Sequence, residues 1–157
     1  MTVEAGQAAP EFELPTAGGG RARLADFKGK PLVVYFYPKD DTPGCTKEAR
    51  GFAEAYPEFQ QAGVAVVGIS KDDAASHDRF KAKYDLPFTL ASDEHGGVVE
   101  AYGSWVEKSM YGKNYMGVDR STCLIDGDGK VRKVWRRVKV PGHVAEVLAA
   151  ARALNAT

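Results

Sequence analysis

At 157 residues, with 44% hydrophobic and 27% charged side chains, the chain has a globular composition and enough length to bury a core. Lysine plus arginine balances aspartate plus glutamate at 21 each, so no global field draws it to nucleic acid or to anionic lipid. Its apolar runs are far too short to span a bilayer, and two cysteines, at 45 and 123, make neither a disulfide framework nor a metal-ligand spacing.

Met1–Gln7 carries no basic segment followed by an apolar one, so a cytoplasmic protein with reduced thiols is expected. Phe12 and Leu14 alternate with Glu11 and Glu13 as in a short strand. Ala17-Gly18-Gly19-Gly20 then turns the chain back into Arg21–Leu24. The glycine triplet lacks the Lys-Ser/Thr and the preceding buried strand of a phosphate loop, so a hairpin turn is predicted. Leu32–Tyr37 is an apolar run that reads as a buried strand. Beyond Pro38–Thr42, Cys45, Ala49, Phe52, Ala53 and Tyr56 fall on one face of a helix. Thr42 suits the N-cap, Pro43 the first helical position, and Cys45 the third, where the Thr42 hydroxyl is expected to meet its N–H.

Pro57 predicts a break or restart of this helix and Gly63 its end. Val64–Ser70 reads as a strand buried on both faces, His77–Tyr84 as a helix, and Phe88–Ala91, after Pro87, as a short strand. A short helix over Gly96–Tyr102 leads into an irregular, glycine-punctuated stretch to Gly117. Ser121–Ile125 and Lys130–Val138 read as strands joined by the turn Asp126–Gly129, and Pro141 opens a terminal helix buried through Val144, Val147, Leu148 and Ala151. The order implies one α/β layered sandwich, a single domain over 1–157.

Several smaller patterns have structural readings. Asp126 and Asp128 lack the later ligands of a calcium loop, so a hairpin turn is expected. Arg132, Lys133, Arg136, Arg137 and Lys139 read as a solvated strand edge and not as a nucleic-acid surface. His77, His95 and His143 are scattered with no metal-ligand spacing. Tyr102, Trp105, Tyr111 and Tyr115 are expected to pack or anchor loops before they stack a ligand.

Cys45 carries the chemistry. The first-turn N–H groups of a helix lack intrahelical acceptors and form the positive end of its dipole, which stabilises a thiolate, the nucleophilic form of cysteine. The same residue lies on an apolar stripe, where a free cysteine also serves as a small core residue. Pro43 and Gly44 keep side chains away from the sulfur and leave room for a small substrate.

Pro38-x-x-x-Thr42-x-x-Cys45 resembles the active-site motif of the peroxiredoxins. The wider text, Tyr35–Asp40 and Thr42–Ala49 with Leu86-Pro87-Phe88, Ser92-Asp93, Tyr102-Gly103, Tyr111-Gly112 and Arg120-Ser121-Thr122, resembles the bacterioferritin comigratory protein, or peroxiredoxin Q, branch. The resemblance covers nearly the whole chain. It implies a thioredoxin-like three-layer α/β/α sandwich with an N-terminal extension. It also implies a thiol-dependent peroxidase that reduces hydrogen peroxide and organic hydroperoxides through a Cys45 sulfenic acid, in antioxidant defence. The implied catalytic residues are Cys45, Thr42, Arg120 and Pro38, with Gly44 and Glu48 at the substrate site. Arg120 would face the sulfur, and Glu48, one turn after Cys45, could orient it or be a solvated helix charge. No metal, haem or flavin is implied. Thioredoxin, glutaredoxin or a small thiol would be the reductant, and a monomer is expected over a dimer. Many members carry a second cysteine five residues after the first; here that position is Arg50, so recycling by an external thiol is expected.

Three rival readings compete with this one. A thiol-disulfide oxidoreductase would need Cys-x-x-Cys, but Glu48 stands three residues after Cys45. A cysteine hydrolase would need a histidine base beside Cys45. A redox-sensing or scaffold domain would need only an unreactive Cys45.

Overall fold

The computed structural model describes residues 3–155. Met1 and Thr2, at the head of the segment read as carrying no leader, lie outside the described residues. A short hairpin, Glu13–Pro15 (β1) with Arg21–Arg23 (β2), precedes a single 3-10 turn at Leu24–Phe27 and the strand Leu32–Phe36 (β3). Then come the helix Pro43–Gln61 (α1), the strand Ala65–Ser70 (β4), the helix Ala74–Tyr84 (α2), the strand Thr89–Ser92 (β5) and the short helix Gly97–Ala101 (α3). Trp105–Met110 (β6), Lys113–Val118 (β7), Ser121–Ile125 (β8), Val131–Trp135 (β9) and the helix His143–Asn155 (α4) complete the described chain.

The central sheet has the order β5-β4-β3-β8-β9, with β5, β4 and β3 parallel and β8 and β9 antiparallel to their neighbours. β3 is its middle strand and is buried along its whole length, as its continuous apolar run requires. Alternation then splits the core. Val33, Tyr35 and Leu124 face α1, α4 and Phe80 of α2, whereas Val34, Phe36, Cys123 and Ile125 face the N-terminal hairpin, the 3-10 turn and α3. This is a thioredoxin-like α/β fold with its N-terminal extension packed on one face.

Four expectations change. Pro57 lies inside α1 and does not break it. Phe52 and Phe59, either side of it, are fully buried, and this tertiary burial outweighs the missing N–H. The stretch read as irregular is the β6–β7 hairpin, turning at Tyr111-Gly112 with φ of +53° and +76°, the two left-handed residues a tight hairpin needs. Most of its side chains are exposed, so it lacks the apolar alternation that betrays a half-buried strand. α4 starts at His143 and not at Pro141, because Gly142 at φ +78° cannot be helical. β9 stops at Trp135, two residues before Arg137 at φ +48°, and Arg136 leaves the solvated edge. Its guanidinium folds inward and donates to the carbonyls of Val3 and Tyr102 and to Ser104 Oγ.

Candidate active site

The Tyr37 N–H donates to the Ile69 carbonyl at 3.1 Å and extends the β3–β4 pairing by one residue. The turn Pro38–Thr42 then crosses the end of the sheet to α1. Pro38 and Lys39 are exposed, Asp40 is buried, Asp41 takes φ +58°, and Thr42 is the N-cap with extended backbone. The Thr42 hydroxyl does not cap the helix. It donates to the Lys39 carbonyl at 2.9 Å and closes the turn, because the N-cap hydroxyl faces back along the turn. The lone pairs of Thr42 Oγ1 remain available as acceptors. Pro43 occupies the first helical position, as its ring geometry favours.

Cys45 follows at the third helical position, 2% exposed. A merely structural cysteine here would meet only apolar neighbours. Instead Arg120, immediately before β8, donates from Nη2 to Cys45 Sγ at 3.4 Å. Its Nη1 donates to Glu48 Oε1 at 2.7 Å. Glu48 lies one turn after Cys45 and is fully buried, so it sits behind Arg120, away from solvent. Gly44 is close beneath the guanidinium: a Cβ there would lie 3.1 Å from Arg120 Nη2. With no side chain at position 44, Arg120 stands over the sulfur without having to shift.

Burial works on these groups in opposite senses. It pushes the Glu48 carboxyl up to about 7, against the opposing pull of Arg120. Burial would also lower Arg120, but Glu48 and Cys45 together carry it above its ordinary value and keep it charged. Beneath the pair, burial, and then the charge of Glu48, push the Tyr35 phenol well above its ordinary value. Tyr35 Oη and Glu48 Oε2 are the buried side-chain atoms without a hydrogen-bond partner among the described residues.

A sequence profile of the AhpC/TSA family matches residues 5–134. The chain belongs to this family and is a peroxiredoxin. It is 55% identical over 148 residues to a putative peroxiredoxin Bcp of Coxiella burnetii, covering 94% of this chain and 98% of that one. It is 47% identical to peroxiredoxin Bcp of Bacillus subtilis, covering 94% of each. Among solved structures, the bacterioferritin comigratory protein of Xanthomonas campestris superposes with a TM-score of 0.90 at 42% identity, covering 98% of both chains. A cysteine-to-serine mutant of PrxQ from Xylella fastidiosa gives 0.92 at 37% identity over 98% of both. Such enzymes are thiol-dependent peroxidases.

The peroxiredoxin therefore brings Cys45, Arg120, Glu48, Gly44 and Thr42 to one end of the central sheet, with Pro38 exposed in the turn that leads to them. The histidine base of a cysteine hydrolase is missing: no histidine nitrogen bonds Cys45 Sγ among the described residues. Instead His143 Nε2 bonds Thr122 Oγ1 at 2.9 Å, and burial lowers its ring to about 4. Sequence reasoning overlooked Asp40 and His77, which the fold joins beneath the turn. The available signal was an aspartate midway between Pro38 and Thr42 and a histidine in register with Phe80 and Tyr84 on one face of α2. Among the described residues no helix is long and apolar enough to cross a membrane.

Proposed function

We propose that Cys45 is the peroxidatic cysteine of a peroxidase recycled by an external thiol, acting as a single domain over 1–157. The observation that carries this reading is the Arg120 Nη2–Sγ contact of 3.4 Å at the first turn of α1. The Cys45 thiolate attacks one peroxide oxygen in line with the O–O bond. A sulfur–oxygen bond forms, the O–O bond breaks, and the leaving oxygen departs with the bonding pair. It takes a proton to become water or an alcohol, and Cys45 is left as sulfenic acid. Charge growing on the leaving oxygen meets Arg120 and the first-turn N–H groups of Gly44 and Cys45. The Thr42 hydroxyl, already donating to Lys39, acts as acceptor for the peroxide O–H. Pro38 bounds the mouth of the site. Glu48 holds Arg120 and does not itself meet the peroxide.

The substrates are hydrogen peroxide and organic hydroperoxides. The Xanthomonas relative was solved in connection with its alkyl peroxide reduction activity, which supports the second class. Thioredoxin, glutaredoxin or a small thiol then attacks the sulfenic acid, releases water and forms a mixed disulfide. A second thiol resolves it. Recycling within the chain has no support at position 50, where Arg50 is exposed on α1. A cytoplasmic monomer fits this cycle.

The test is peroxide consumption under excess dithiothreitol by the wild type and Cys45→Ser. The serine variant is expected to lose turnover and keep its fold, because a hydroxyl at neutral pH is no equivalent nucleophile. Undiminished turnover by Cys45→Ser would overturn the reading.

A further inference from the structure

We propose that His77, acting from α2 through Asp40, is a positioning residue for the turn Pro38–Thr42 and thereby for the reaction of Cys45 with peroxide; the inference rests on the peroxidatic role of Cys45. Asp40 lies two residues from both Pro38 and Thr42, yet its side chain is turned inward and buried. Its carboxylate is ringed by donors from elsewhere. Tyr37 Oη donates to Oδ1 at 2.5 Å, Ser76 Oγ donates to Oδ2 at 2.8 Å, and His77 Nδ1 lies 2.7 Å from Oδ2. The Asp40 N–H donates to Asp72 Oδ2 at 2.9 Å, and the same oxygen accepts from Ser70 Oγ at the end of β4.

His77 is fully buried and both of its ring nitrogens face oxygen. Nε2 lies 3.0 Å from the Ala91 carbonyl, which can only accept, so Nε2 carries hydrogen. The contact between Nδ1 and Asp40 is then closed by a second hydrogen held between the two groups. The imidazole thus bridges the β5 backbone to the turn. An outer clamp repeats the connection: Asp41, at φ +58°, accepts from Lys83 Nζ at 2.7 Å and Tyr84 Oη at 2.6 Å at the far end of α2.

Pro38, Lys39 and Asp41 are exposed, so burial of their own side chains does little to offset the entropy lost in holding the turn in one conformation. Within the turn, the Thr42–Lys39 bond alone ties the N-cap hydroxyl back to it. What orders the segment bearing Pro38 and Thr42 is the buried Asp40, which Tyr37, Ser76 and Asp72 help to hold and which His77 ties to the β5 backbone. Arg120 and Glu48 come from other elements and do not depend on this clamp. Loss of His77 should therefore spoil the placement of the turn around peroxide while Cys45 stays paired with Arg120.

The test compares His77→Asn with His77→Gln. An asparagine amide can stand near Nδ1 and donate to Asp40; a glutamine amide can stand near Nε2, keep the Ala91 bond and lose Asp40. Both remove the ring and both create a similar packing defect. Three quantities are measured: the second-order rate with hydrogen peroxide, the rate of Cys45 alkylation by iodoacetamide, and thermal stability. His77→Gln is expected to lose about tenfold or more in the peroxide rate, the scale on which small misplacements act. Its alkylation should stay within about twofold of the wild type, and His77→Asn should recover most of the peroxide rate. Equal peroxide rates in the two variants, or parallel losses of peroxide and alkylation rates, would overturn the proposal. If neither variant folds, Tyr37→Phe decides it by removing one donor to Asp40 with no loss of ring volume. A several-fold slower peroxide reaction with unchanged alkylation supports the clamp, and an unchanged peroxide rate sinks it. Wild-type turnover lost in Cys45→Ser separates failure of this inference from failure of the peroxidatic reading.

Discussion

Cys45 and Cys123 lie on opposite faces of the central sheet. Cys45, in the first turn of α1, belongs to the core with Tyr35 and Leu124, and Cys123, opposite Val34 in the β3–β8 register, packs on the face covered by the N-terminal hairpin. Burial also pushes the Cys123 thiol up to about 11, so little thiolate is present at neutral pH. A disulfide needs Cα atoms about 4.4–6.8 Å apart with facing Cβ vectors, which a sheet lying between the two side chains denies. After one equivalent of peroxide without thiol, intact mass and peptide mapping should find Cys45 with one added oxygen and Cys123 free. Excess peroxide should carry Cys45 on to sulfinic acid. A dominant Cys45–Cys123 peptide within one chain would contradict the sheet geometry.

Arg120 serves two partners at once, and its replacements should separate them. Arg120→Ala is expected to slow peroxide reduction by a factor on the order of 10²–10³, the scale for losing a preorganised donor. It also leaves Glu48 buried without a partner, so stability should fall as well. Arg120→Lys should recover little of the rate, because one ammonium cannot reach Glu48 Oε1 and Cys45 Sγ as the two ends of a guanidinium do. Stopped-flow peroxide rates beside thermal melts distinguish these outcomes; a fully active Arg120→Lys would count against the fork.

Gly44→Ala should split activity from stability. The new methyl would sit 3.1 Å from Arg120 Nη2, and the guanidinium must shift to make room. The helix itself gains, since alanine is favoured over glycine by about 0.5–1 kcal/mol within a helix. The expected result is an unchanged or raised melting temperature with a peroxide rate lowered about tenfold. A wild-type rate would mean that Arg120 moves aside without cost.

Glu48 gives the protein a pH-dependent stability of defined sign. Its folded-state carboxyl is raised from 4.5 to about 7 by burial, so between those values the folded state holds a proton that the unfolded state has lost. Stability should therefore fall as pH rises from about 4.5 to 7. A shift of this size corresponds to roughly 3 kcal/mol at most. Glu48→Gln should flatten that slope in urea melts across the same range. An identical slope in both proteins would assign it to other groups.

The turn that leads to Cys45 and the secondary elements around it were legible in the sequence because they are local. A continuous apolar run marks β3, Thr-Pro marks the start of α1, and the spacing from Cys45 to Phe52 marks its buried face. What failed were the places where distant residues decide. Pro57 passes through α1 because Phe52 and Phe59 are buried by the sheet, and the β6–β7 hairpin hides because it buries too little to leave a pattern. The Thr42 hydroxyl turns to Lys39 instead of the helix, a choice between two nearby partners that propensity does not rank. Glu48, 72 residues from Arg120, and His77, 37 residues from Asp40, became neighbours only through the crossing of α1 and α2 over the sheet. Local sequence determines which groups can act. Which buried charge meets which partner is decided by tertiary packing, because a desolvated polar group must find its counterpart wherever the fold brings one.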